Sequence, residues 1–90
     1  DVVVTMPADV PANATGVILN VTEVAATGPG HFVVFATGSS VPATSSLDFI
    51  DGHAVANEVL TAIGPDKKVT VRVAGHSSHV VVDVMGYVTP

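Results

Sequence analysis

The sequence predicts an all-β domain spanning residues 1–90, an antiparallel β-sandwich or jelly-roll-like fold of about seven short strands. Three observations carry that expectation. β-branched residues dominate the apolar stretches, period-two alternation recurs along the chain, and Gly, Pro, Asn and Asp interrupt it at short intervals. The clearest stretch is Val10 to Val24, VPANATGVILNVTEV. There Val17, Leu19 and Val21 fall on one side and Ile18, Asn20 and Thr22 on the other, as a strand with one apolar and one mixed face requires. It is expected to be a central core strand.

Val2, Val3 and Val4, followed by Thr5 and Met6, are apolar at consecutive positions, which fits a strand covered on both faces or lying at the end of a sheet. Pro7 ends it. Pro11 stiffens the approach to the central strand and Asn13–Gly16 makes the turn into it. Ala25–Gly30, AATGPG, reads as a loose hairpin connection leading into His31–Ala36, HFVVFA, a strand largely apolar on both faces. Thr37–Ser46 lacks periodicity and reads as an exposed connection. Leu47–Ile50 is a short strand, and Asp51-Gly52 after it is a tight-turn dipeptide that suggests a hairpin. Ala54–Ile63 fits a helix through Val55, Val59 and Ala62, or a strand through Val55, Asn57, Val59, Thr61 and Ile63. Strand is the reading favoured here, because the flanking pattern is β and Gly64-Pro65-Asp66 supplies a hairpin turn. Lys68–Ala74 alternates, with Val69, Val71 and Val73 inward and Lys68, Thr70 and Arg72 outward. Gly75–Ser78 turns, and His79–Val88 closes the chain with Val80, Val82 and Val84 on one side.

Composition narrows the function classes. Hydrophobic residues make up 48% of the chain but charged residues only 12%, against roughly 25% in an average soluble domain. Small polar side chains must therefore cover much of the surface. Eight acids face Lys67, Lys68 and Arg72, for a net charge of -5. A chain that repels phosphates is not expected to bind nucleic acid or an anionic membrane. No run approaches the roughly 18 apolar residues of a membrane span, so membrane insertion is not expected either. Without cysteine, disulfides and thiolate metal sites are excluded. The first residue is Asp1, which fits a mature product, an excised domain or a sequence given without its leader.

Three segments, VPANATGVILNVT, then VPATSSLDF followed by ANEVL, then HVVVDVMGYV, resemble an all-β repeat module of secreted and surface proteins of actinobacteria. The resemblance spans nearly the whole chain. It implies an extracellular or envelope-associated location and a non-catalytic accessory or adhesive role, with no catalytic residues to carry over. Members of that family carry a further segment of about thirty residues with an Asp-Thr-Arg motif ahead of the first strand, within ordinary domain sizes. This sequence does not contain it. Where the family more often has Asn, this chain has Asp48. If that segment supplies a strand, the chain either has an open edge or receives a strand from another subunit.

Candidate chemistry is sparse. His76 and His79, and His53 near Asp48 and Asp51, lack the ligand spacing of a structural zinc site, and DFIDG falls short of an EF-hand loop. No metal and no cofactor are expected. Serines are plentiful, but no nucleophile-elbow sequence accompanies them, so an enzyme is not expected. Sugar recognition is the alternative function, through a polar pocket of Asp51, His53 and Asn57. Tyr87, after Gly86 in the closing motif, is expected to bury its ring and tie its hydroxyl to backbone. Asn20 and Asn57 are expected to satisfy backbone groups at a bulge or edge. Asp83 interrupts a β-prone run and is expected to discourage aggregation or pair with a neighbour. Asn13-Ala14-Thr15 and Asn20-Val21-Thr22 fit the glycosylation sequon, but the second lies in a core strand and a bacterial source would make both incidental. The chain is thus read as a secreted structural or adhesive module, a homo-oligomer through strand edges or faces, with a glycan-binding accessory module as the alternative.

Overall fold

The computed structural model describes residues 1–41, 46–50 and 53–90. Among the described residues seven strands form: β1 (Val2–Thr5), β2 (Gly16–Val24), β3 (Gly30–Ala36), β4 (Leu47–Phe49), β5 (Val55–Ala62), β6 (Lys68–Gly75) and β7 (His79–Val88). A 3-10 turn, Pro65–Lys67, precedes β6. The strands build two antiparallel sheets, in the orders β1-β6-β3-β4 and β5-β2-β7, packed as a sandwich. The segment Val55–Ala62 is a strand, with Val55, Val59 and Thr61 turned towards the interior in register with Glu23, Leu19 and Val17.

β2 is the centre of its sheet, paired to β5 on one side and β7 on the other. Val17, Leu19 and Val21 are fully buried and meet Phe32, Val34, Val69 and Val71 of the facing sheet. Phe32 and Phe49 close this core with ring centroids 5.3 Å apart and planes tilted by 57°. Each such side chain is worth about 1.5–3 kcal/mol once removed from water. β3 is apolar on both faces and buried on both, since Val33 and Phe35 on its outer side are covered as well. Thr70, expected outward and wet, is also buried, and its hydroxyl is 2.8 Å from that of Thr37.

The expected hairpins are not formed. The turn at Asp51-Gly52 lies outside the described residues, but the strands either side of it, β4 and β5, belong to different sheets. The same holds for β2 and β3, β5 and β6, and β6 and β7, so these connections are arches that carry the chain across the sandwich. Among the described residues, β3 and β4 are the sequential strands that pair. Left-handed backbone at Ala25 (φ 57°), Asp66 (φ 59°), Lys67 (φ 60°) and Gly75 (φ 87°) turns the chain out of the sheet plane. For the three non-glycine residues that conformation costs roughly 1 kcal/mol each, which local bonds must offset.

Those bonds are present. The carboxylate of Glu23, wholly buried at the end of β2, accepts the Ala26 N–H at 2.7 Å and braces the first arch. Lys67 Nζ donates to the carbonyls of Pro7 (3.1 Å) and Val10 (2.6 Å), tying the β1–β2 connection to the β5–β6 arch. His76 closes the last arch through its N–H to the Pro29 carbonyl at 3.0 Å. Gly64 is where two backbones meet, because a Cβ there would overlap the Thr37 carbonyl.

Candidate functional site

The residues singled out by sequence fall into three separate places. Asp51 lies outside the described residues. His53 is exposed in the link before β5, and Asn57 Nδ2 donates to the Ser46 carbonyl at 2.8 Å. Ser46 in turn donates its N–H to the Phe32 carbonyl at 2.8 Å and accepts the Val34 N–H on its hydroxyl at 2.9 Å. Asn57 therefore stitches the β5 edge of one sheet to the start of β4 in the other. The VPATSSLDF and ANEVL segments meet at this stitch. Their separation in sequence concealed the contact.

The second place is the outer face of the three-stranded sheet. Asn20 lies directly between Glu58 on β5 and Asp83 on β7, so the three form a polar row across all three strands. The amide of Asn20 and the carboxylate of Asp83 have no side-chain hydrogen bond among the described residues, so the expectation that Asn20 satisfies backbone groups is corrected, and of the two roles expected of Asp83 the pairing with a neighbour is not found. The reason is geometric: both point away from the interior at positions where β2 and β7 are already paired. Apolar side chains follow in the next rows of the same face, with Leu60 opposite Ile18 and 68% exposed, and Val88 beside Gly16.

The third place is β7, ten residues long and, among the described residues, paired on one side, with β2. A register shift between Ile18 and Leu19 leaves Met85 as an extra residue, so Gly86 faces Ile18 and Val84 faces Leu19. A Cβ on Gly86 would sit 3.6 Å from Ile18, an ordinary contact, so no steric demand for glycine exists there. Beyond this bulge Tyr87 is opposite Val17, on the interior side, yet it stays 48% exposed. Its expected burial and hydroxyl bond are not found. The ring instead borders an open cleft of about 200 Å³ with Pro7, Asp9, Val10 and Met85.

Comparison with protein-family models, with curated proteins and with solved structures finds no match to this chain. The site must therefore be read from its own chemistry. Among the described residues no three His, Asp or Glu side chains group as a metal site. The Ser78 hydroxyl contacts the carbonyls of Val24 and His79, and that of Thr27 contacts Ser77, so these hydroxyls are engaged in holding arches. The His76 ring is likewise engaged, with Nδ1 2.9 Å from the Pro29 carbonyl. No helix among the described residues is long and apolar enough to cross a membrane. What the surface does offer is a long sheet edge with large apolar side chains beside it. Val81, Met85, Tyr87 and Val88 on β7 are all exposed, as are Val2 and Val3 on the edge strand β1.

Proposed function

We propose that this protein is a non-enzymatic structural or adhesive module, extracellular or envelope-associated, that assembles with copies of itself or with neighbouring subunits through its sheet edges. The observation that carries this reading is β7. A ten-residue strand with a partner on one side presents a row of unpaired N–H and C=O groups, and such an edge is ready to pair with another chain. Natural edge strands are commonly short or charged; β7 is long and carries one acid in ten residues. Light scattering across a wide concentration range tests the reading. Growth in mass with concentration supports it, and a monomer throughout overturns it.

A second reading, sugar recognition, is favoured by Tyr87. A half-exposed ring that lines the same open cleft as Asp9 offers an apolar face and a polar group within one cleft, the elements of a sugar contact. A glycan array with Tyr87→Ala as control separates the two: binding lost in that variant, by a chain that remains monomeric, favours the sugar reading.

A further inference from the structure

The free edge of β7 is not uniform. Its second half, Val84 to Tyr87, is bulged at Met85 and borders the Pro7–Val10 segment, whereas its first half, His79–Asp83, is regular and continuous with β2. We infer that this first half pairs antiparallel with the same five residues of a second copy, about a two-fold axis through Val81. The inference rests on the self-assembly reading and names its edge, partner and register.

In an antiparallel pair, residues directly opposite one another share a face of the sheet. With the axis at Val81, the segment HVVVD meets its own reverse: His79 faces Asp83 of the second copy, Val80 faces Val82, and Val81 faces Val81. His79, Val81 and Asp83 are exposed on the outer face, and neither His79 nor Asp83 has a side-chain hydrogen bond or ion pair among the described residues. Pairing gives each a partner, twice per dimer. Val80 and Val82, on the interior side and only partly buried, gain valine against valine.

The neighbouring in-phase registers are worse. An axis at Asp83 sets two carboxylates opposite each other, and an axis at Val82 sets each Asp83 against Val81. The second copy is therefore favoured over an arbitrary strand, because the segment is complementary to itself in one register. Pairing closes the edge into a continuous six-stranded sheet, β5-β2-β7 followed by its reverse.

Two measurements on the full chain test this. The sequence has no cysteine, so Val81→Cys introduces a single thiol at the axis. Opposed Cα atoms in an antiparallel pair are about 4.5–5.5 Å apart, within the roughly 4.4–6.8 Å that a disulfide spans. Under an oxidising glutathione buffer, Val81→Cys should convert mainly to a disulfide-linked dimer, and Leu60→Cys, more accessible but on β5, should not. In the second measurement His79→Asp and Asp83→His should each weaken dimerisation roughly tenfold, since two pairs change together. The double swap should restore it to within about twofold. A chain that assembles while Val81→Cys cross-links no faster than Leu60→Cys, or while the swap fails to restore, overturns this register and leaves the assembly reading standing. A chain monomeric throughout overturns both.

Discussion

Replacing Glu23 tests the arch architecture most directly. Its carboxylate is fully buried, with one oxygen on the Ala26 N–H at 2.7 Å and the other without a hydrogen-bond partner among the described residues. Two opposed effects meet there: burying a charge is costly, and leaving a buried N–H without an acceptor is costly too. Glu23→Gln keeps an acceptor for Ala26 and removes the charge, so it should change stability by less than about 1 kcal/mol. Glu23→Leu preserves the volume and the apolar contacts but takes the acceptor away. Ala26 is itself buried and follows Ala25 with φ 57°, so the N–H is held where water reaches it poorly. The expected loss is about 2 kcal/mol relative to Gln. In a domain of this size 1 kcal/mol corresponds to about 4–8 °C in Tm, so the two variants should melt roughly 10 °C apart by circular dichroism. A Leu variant as stable as the Gln variant would refute the reasoning, and would mean that the carboxylate is a cost which the arch does not need.

Three further outcomes follow from the same geometry. Gly64→Ala should destabilise by more than about 2 kcal/mol in urea unfolding, because the methyl group has no space beside the Thr37 backbone. Lys67→Met should expose the Pro7–Val10 segment to faster amide exchange while the core strands remain protected, since the lost bonds to Pro7 and Val10 are local. Arg72→Ala should cost less than about 1 kcal/mol, an effect shrinking further with salt: its pairing with Asp1 at 2.8 Å joins two half-exposed side chains.

Strand positions were legible because alternation is imposed by one interior. Val17, Leu19 and Val21, and again Val69 and Val71, are the residues whose burial requires period two, and they are the core. The strand reading of Val55–Ala62 rests on the same signal. Pairing was not legible. A short Gly- or Asp-rich link serves an arch as well as a hairpin, and the difference lies in φ at Ala25 and Asp66, residues that do not announce a left-handed conformation. At the candidate sites, Asn57 was visible as an anomalous polar residue, but its partner is a backbone carbonyl at Ser46, which no side-chain pattern marks. The motif implies a buried Tyr87, yet past the bulge at Met85 its ring borders an open cleft with Pro7, Asp9 and Val10.

The arches have a kinetic consequence. Gly16 pairs with Val88 and Val2 with Val71, so the first strands of the chain wait for the last. Loop-closure entropy must be met before these contacts return anything, and domains dominated by distant pairings fold slowly, on the millisecond to second scale. During synthesis β2 emerges long before β5 and β7, with its valines and leucine unpaired. The three-stranded sheet cannot be completed until β7 has been made, and the chain passes through a window in which β2 is itself an exposed edge on both sides.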